Sequence, residues 1–378
     1  MAGQLIERGE RIWMVRIFLG RDPLTGKRKY HNKTVHGSRR DAQRYVNGVL
    51  RDMDLGKFCP PKKTVLDKFL DRWLEKKVKP RVRDSTFRSY EQLMRCYVRP
   101  GLGSKQISKI TGEDIQELYL AMAKKGLAAS TIQKVHTVLR SAFRQAVKWG
   151  SLGVNPTAEV EVPKDRSTRR EERIKILPLD RVQEFLEHAR CSRWGVLWAV
   201  ALGTGMRPSE YLALKWEDLD VDQGLVRVRR TLYRPRDGGW NFQPPKTKGS
   251  VRSIALPEQL VEDLLDHKEE QARRYGELHE IIFSTQGGEP LFCSNLRRRG
   301  LKPLLRELAI DDSIHLYALR HTHATMLLSA GVHPKIVAER LGHASVRMTL
   351  DVYSHVVPTM QREVAGQVGN LLYSSEPE

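Results

Sequence analysis

The sequence predicts a mainly helical α+β chain with small β-sheets. Its parts are a small sheet-plus-helix front, a four-helix middle and a mixed, mainly helical back. Three observations predict this. The 378 residues allow two or three domains, each able to bury its own core. Apolar side chains recur at helical spacing through most of the length, and β-rich runs are confined to short stretches. Two segments without a helical stripe, CPPKK at 59–63 and VNPTAEVEVPKDRSTRREER at 154–173, mix proline with charge and read as linkers. The boundaries that follow are 1–58, 64–162, 174–363 and a small polar tail at 364–378.

RIWMVRIFL (11–19) is rich in β-branched and aromatic residues and reads as a strand. DPLTG (22–26) reads as a turn and KRKYHNKTV (27–35) as the returning strand. Ser38 then caps a helix whose apolar residues Ala42, Tyr45, Val46, Val49 and Met53 recur at helical spacing, with Gly56 closing it. The strands carry Arg11, Arg16, Lys27, Arg28, Lys29 and Lys33, so the sheet could lay a basic face in a DNA groove.

In the middle, Thr64 begins a helix with Leu66, Phe69, Leu70, Trp73 and Leu74 on one face. A second helix carries Phe87, Tyr90, Leu93, Met94 and Tyr97 and stops before Pro100. Thr111 caps a third that ends at Gly126. The fourth runs from about Ser130 to Trp149 with Ile132, Val135, Leu139, Phe143 and Val147 inward. The aromatic stripe reads as core, and Lys124, Lys125, Lys134, Arg140, Arg144 and Lys148 fall on the outside.

From Ile174 a helix starting at Leu179 leads to an apolar helix near Trp194–Leu202 and then to GTGMRPSE. Pro208 suits a first helical turn, so Arg207 stands at a helix entrance. Glu210 either braces Arg207 or is an ordinary first-turn acid favoured by the helix dipole. GLVRVRRTLY (224–233) and the stretch around Val251–Leu256 read as strands, with Lys246 between them and Lys248 as its rival. Helices follow at about Pro257–Tyr275 and Ser294–Leu308, the latter holding Arg297, Arg298 and Arg299. In HLYALRHTHATMLLSAGVHPKIVAERLGHASVRMTLDVYSH (315–355) turns divide three short helices. Gly331, Pro334 and Gly342 punctuate them, and Ser345 caps the last, with Tyr353 near its far end.

The net charge is +20, and it is uneven: residues 1–58 contribute +7 and residues 64–162 contribute +8. A positive front and a nearly balanced back suit a chain whose first parts grip a polyanion. Cys59, Cys96, Cys191 and Cys293 are far apart with no CxxC pair, which fits a reducing cytosol rather than a disulfide framework or zinc knuckle. No apolar run approaches the ~20 residues of a membrane span, and no secretory signal opens the chain. His321 and His323 are two apart and diverge, and no HExxH spacing occurs, so no metal or other cofactor is expected.

Arg207, Lys246, Arg320, His343 and Tyr353 make a chemical set. Two guanidiniums can hold the non-bridging oxygens of a phosphodiester and neutralise the charge that builds on attack. A lysine can protonate a departing alkoxide, and a histidine can bond the phosphate or move a proton. A tyrosine can form a covalent phosphoryl intermediate.

The boxes TGMRPSE, LRHTHAT, LGHASVRMT and DVYSH resemble those of the tyrosine recombinases, the family of phage-type integrases, over roughly residues 64–360. The resemblance implies Arg207 and Arg320 as phosphate-binding arginines, Lys246 as general acid, His343 as the pocket histidine and Tyr353 as nucleophile. It makes the middle a core-binding domain and the front similar to an arm-site-binding domain. Arg16, Lys27, Arg28, Lys29, Lys134, Arg140 and Arg144 are then candidate DNA contacts. One position departs: three residues before the second arginine, where the family commonly has His, stands Tyr317. A phenol there can donate a hydrogen bond, but with an ordinary pKa of about 10 it is no base near neutral pH.

The implied activity is integration and excision of a mobile element in a bacterial host's cytoplasm. The implied partners are double-stranded DNA at core and arm sites, three further copies of the chain in a tetramer, and DNA-bending and directionality proteins. Two alternatives use the same fold: a catalytically silent DNA-binding regulator, which the Tyr317 departure favours, and a type IB topoisomerase-like relaxer.

Overall fold

The computed structural model describes residues 3–21, 25–55, 58, 64–163, 175–235, 238–245 and 248–353, with short helical pieces at 365–366, 368–369 and 372–373. The side chains of residues 248 and 351–353 lie outside that description. The chain divides into two compact units, Met1–Ser167 and Thr168–Glu378.

The first unit opens with an antiparallel meander of β1 (Gly3–Gly9), β2 (Ile12–Arg21) and β3 (Arg28–His36), backed by α1 (Arg39–Asp54). In the β2–β3 register Val15 faces Lys33 and Ile17 faces His31. Val15, Ile17 and His31 are buried, and Ala42, Val46 and Val49 of α1 complete that core. Strand β1 is absent from the sequence reading. Its GQLIERG is short and largely exposed, so pairing with β2 rather than burial defines it. Ser38 caps α1 in a capping box with Asp41. Gly56, the proposed stop, lies outside the described residues, as do the linker at 59–63 and most of the turn at 22–26.

Four helical rods follow. The first is α2 (Leu66–Trp73), extended by a π turn, Leu74–Val78. The second is α3 (Asp84–Leu93), a π turn (Met94–Val98) and α4 (Arg99–Leu102). The third and fourth are α5 (Gly112–Lys124) and α6 (Ala129–Lys148). Two expectations are corrected. Thr64 does not start a helix, because its carbonyl accepts from Ile107 N–H and Val65 bridges Gln106, which holds this stretch extended. The second rod does not stop before Pro100. The π turn ends with Arg99 N–H bonded to Met94 O, and Pro100 falls in the first turn of α4, where its missing N–H is tolerated. Thr111 caps α5 in a capping box with Asp114, and Gly126 follows it at φ +76°. Phe69, Trp73, Tyr119, Leu139 and Phe143 form the core, so the aromatic stripe packs inward. The first half of the expected 154–173 linker is fastened down: Thr157 is buried, and Val160 and Val162 pack on this core. Residues 164–173 lie outside the described residues.

The second unit begins with a 3₁₀ turn (Leu179–Arg181), then α7 (Val182–Arg190), α8 (Gly195–Thr204) and the single turn α9 (Pro208–Tyr211). Strands β4 (Leu219–Asp220), β5 (Leu225–Val228), β6 (Thr231–Tyr233), β7 (Asn241–Gln243) and β8 (Arg252–Ala255) form a three-stranded sheet in the order β4-β5-β8 and a β6–β7 hairpin. The run 224–233 is therefore two strands in separate sheets. The chain leaves the first at Arg229 and Arg230, and the Arg230 guanidinium reaches Glu217 (2.5 Å) and Asp218 (2.9 Å). Then come α10 (Glu258–Tyr275), α11 (Cys293–Leu296), a π turn (Arg297–Leu301) and α12 (Lys302–Glu307). The chain closes with α13 (Leu316–Ser329), α14 (Pro334–Leu341) and α15 (Val346–Tyr353). Buried α8, apolar all round, is the spine of this core, with Leu197, Trp198, Ala201 and Leu202 enclosed. Among the described residues no helix is long and apolar enough to cross a membrane.

Candidate active site

Four of the six predicted catalytic residues meet in the second unit. Gly205 closes α8 in the left-handed region (φ +63°), and two residues later Arg207 stands as N-cap of α9 with Pro208 in the first turn. Arg320 rises from the second turn of α13, three residues after Tyr317. His343 follows Gly342, the left-handed cap (φ +67°) of α14.

Glu210 is a brace as well as a first-turn acid. Its Oε1 accepts from Arg207 Nη1 at 2.7 Å, and its Oε2 accepts from Arg207 N–H and from Arg252 Nη2, each at 3.0 Å. Burial pushes this carboxyl upward, but Arg252, the Arg207 N–H and the Arg207 guanidinium outweigh it and hold it below the usual range. Burial likewise opposes the charge of Arg207, but Glu210 and the Tyr317 phenol raise its pKa above the ordinary value. The Tyr317 hydroxyl hydrogen-bonds the Arg207 side chain.

Arg320 is 2% exposed. Its Nη1 donates to Gly205 O and its Nη2 to Leu341 O, both at 2.8 Å. Burial and the nearby Arg207 charge bring its pKa down to about 10, which leaves it a cation at neutral pH. Arg207 Nη2 donates to the next carbonyl, Gly342 O, at 3.4 Å. A guanidinium has five N–H donors, and these bonds leave each arginine with donors for an anion.

His343 Nδ1 bonds Thr349 Oγ1 of α15 at 2.8 Å. Burial, then the charges of Arg320 and Arg207, push the His343 pKa down to about 4, so the ring is neutral and able to take or share a proton. Thr349 is fully buried, and Tyr353 follows it by one helical turn at the end of α15. The Tyr353 side chain and the whole of Lys246 lie outside what is described; Lys246 falls between β7 and a 3₁₀ turn at Lys248–Ser250.

Two arginines escaped the sequence reading. Arg252 bonds Glu210, Arg340 O (2.6 Å) and Ser250 O (3.1 Å). Arg340 reaches His323 Nε2 (3.2 Å), Gly203 O (2.9 Å) and Ala255 O (3.0 Å). His323 Nδ1–H donates to Leu202 O at 2.6 Å while its Nε2 accepts from Arg340 Nε, so its ring is neutral and structural. A signal for Arg252 existed: it shares a strand face with buried Ile254, and a charge on an inward face requires a partner. Among the described residues no three His, Cys, Asp or Glu side chains are grouped to hold a metal. A cavity of about 840 Å³, lined by residues such as Trp194, Asp263, His267 and Phe283, contains none of the predicted site residues.

Of the candidate DNA contacts, Arg16 lies on the sheet face opposite α1, its guanidinium 4.1 Å from the centre of the Tyr30 ring. Lys27, Arg28, Lys29, Lys134, Arg140 and Arg144 are exposed.

The profile of the phage integrase family matches residues 175–360, the whole span that builds this cluster. That of the phage integrase N-terminal SAM-like domain matches residues 65–123. The chain belongs to the phage integrase family. As a tyrosine recombinase it is a DNA strand transferase acting in site-specific recombination. It is 27% identical over 389 residues to the tyrosine recombinase XerC-like protein of Caldanaerobacter subterraneus subsp. tengcongensis, covering 97% of this chain and 98% of that one. It is 26% identical over 385 residues to the ICEBs1 integrase of Bacillus subtilis, covering 98% and 100%. In fold it is similar to the Tn1549 transposon integrase in complex with transposon right end DNA (TM-score 0.67, 24% identity, 79% of this chain and 99% of that chain). It is similar also to a lambda integrase tetramer bound to a Holliday junction (TM-score 0.56, 19% identity, 91% and 96%).

Proposed function

We propose that this recombinase integrates and excises a mobile element through a 3′-phosphotyrosine intermediate, with Arg207, Lys246, Tyr317, Arg320, His343 and Tyr353 as its catalytic residues. The observation that carries the reading is the convergence of Arg207 with Arg320 and neutral His343, more than a hundred residues further along the chain, around the end of α14.

The Tyr353 oxygen attacks the scissile phosphorus, the bond to the 5′-oxygen breaks, and Lys246 delivers a proton to that oxygen. Arg207 and Arg320 neutralise the non-bridging oxygens as charge accumulates. His343, uncharged above a pH of about 4, bonds the phosphate or accepts the phenol proton. Tyr317, whose hydroxyl oxygen accepts from Arg207, stands where a histidine is common in the family and turns its O–H toward the phosphate, with proton removal falling to His343. Rejoining is the reverse reaction with a different 5′-hydroxyl, and the phosphotyrosine bond conserves the energy.

The partners in this reading are core and arm DNA sites, the latter met by Arg16, Lys27, Arg28 and Lys29, and the core duplex met by Lys134, Arg140 and Arg144. Four copies assemble on DNA, as in the lambda integrase tetramer on a Holliday junction. The relationship to the Tn1549 transposon and ICEBs1 integrases supports a mobile-element role in a bacterial cytoplasm, with DNA-bending and directionality proteins as auxiliaries.

Incubation with a nicked suicide duplex of the attachment site, followed by a denaturing gel, tests the proposal. A covalent adduct should form with the native chain and be absent in Tyr353→Phe. A native chain that binds the site and yields no adduct would instead be a silent binder. Adducts that relax supercoils without ever joining two duplexes would make it a relaxer.

A further inference from the structure

Three consecutive carbonyls at the C-terminal end of α14 each accept from a different arginine. Arg340 O takes Arg252 Nε at 2.6 Å, Leu341 O takes Arg320 Nη2 at 2.8 Å, and Gly342 O takes Arg207 Nη2 at 3.4 Å. A helix end leaves its last carbonyls without intrahelical partners and carries partial negative charge, which makes it a natural seat for cations. Two of the three guanidiniums are the proposed phosphate ligands. The third, Arg252, has its side chain only 7% exposed, and its other donors go to Glu210 Oε2 and Ser250 O.

We infer that Arg252 is a positioning residue for strand cleavage. It locks the α14 carbonyls, the Glu210 carboxylate and the start of β8 into one arrangement, so that Arg207 and Arg320 meet the scissile phosphate together. Through Glu210 it fixes Arg207 from one side, and through Arg340 O it fixes the peptides that hold both arginines from the other. Through Ser250 O it ties this assembly to the segment that follows Lys246. A neutral side chain at 252 would leave Glu210 with Arg207 as its remaining guanidinium and let the carbonyl row turn. A lysine would keep the charge and lose the fork that spans three partners. The inference rests on the proposed roles of Arg207 and Arg320.

The test uses the full chain as native protein, Arg252→Gln, Arg252→Lys and Tyr353→Phe. Single-turnover adduct formation is measured on a suicide duplex carrying either the normal phosphodiester or a methylphosphonate at the scissile position. Arg252→Gln should slow adduct formation on the phosphodiester about 10–100-fold, the scale on which supporting shells act, with DNA affinity within about threefold of native. On the uncharged methylphosphonate, where there is less charge to neutralise, the deficit should shrink to within about threefold. Arg252→Lys should fall between the two, and it supplies the same comparison if Arg252→Gln fails to fold. Equal deficits on both duplexes, or a native rate in Arg252→Gln, would overturn the inference while leaving the proposed reaction intact. A native chain giving no adduct beyond that of Tyr353→Phe would overturn the reaction and this inference with it.

Discussion

His321, His323 and His343 each have a pKa brought down to about 4, in every case first by burial and then by neighbouring arginines. Unfolded, each would titrate near 6.5, so between pH 6.5 and 4 the unfolded chain holds more protons than the folded one. Their contribution to stability is thus fully present above pH 6.5 and is lost as pH falls toward 4. A thermal melt followed by circular dichroism should show the midpoint dropping on the order of 10 °C from pH 7 to pH 5. No change over that interval would contradict the assignment of three neutral rings. The motifs made Arg207, Arg320 and His343 legible in the sequence. Glu210 was legible only as two equal alternatives, since a carboxylate three residues after an arginine is also common helix chemistry. Its second guanidinium partner is Arg252, forty-two residues away, whose approach no local pattern encodes.

At the scale of elements, the turn between α8 and α9 does more than reverse the chain. Gly205 gives its carbonyl to Arg320 and lies against His323 and Leu341, so a Cβ there would come within 2.4 Å of His323 Cδ2 and 2.8 Å of Leu341 Cδ2. Gly205→Ala therefore combines left-handed strain with overpacking and should cost about 2–4 kcal/mol. Urea denaturation would measure that loss, and suicide-duplex cleavage should fall further than the stability alone accounts for. The periodic helices α1 and α6 were readable because their apolar stripes agree with their packing, and α1 and α5 because Ser38 and Thr111 cap them. The π turns, the edge strand β1 and the break at Arg229–Arg230 were not. The π turns are set by local i→i+5 backbone bonds that no side-chain pattern marks, β1 by its pairing with β2, and the break by the Arg230 contacts with Glu217 and Asp218.

Over the whole molecule, the +20 charge sits mainly in the first two predicted domains, ahead of the clustered site. Binding should thus be salt-dependent through counterion release, with a slope of about −0.9 per phosphate neutralised. Arg140→Ala and Arg144→Ala should each make the slope of log affinity against log salt shallower by about 1, without changing which sequence is cut. Filter binding from low to moderate salt measures it, and unchanged slopes would remove these residues from the interface. Composition and linker breaks predict four parts, whereas contacts divide the chain into two compact units. The division into two compact units adds that the residues just after the helical bundle, up to Val162, belong to its packing rather than to free tether.

Leu341 and Gly342 are neighbours in the chain, so the stations of Arg320 and Arg207 are separated by a single peptide step, about 3.8 Å between Cα atoms. Covalent geometry thus fixes the spacing of the two stations, although positions 207 and 320 are far apart in the chain. The two cations are moored to adjacent links of one backbone, so a shift of that segment carries both moorings together.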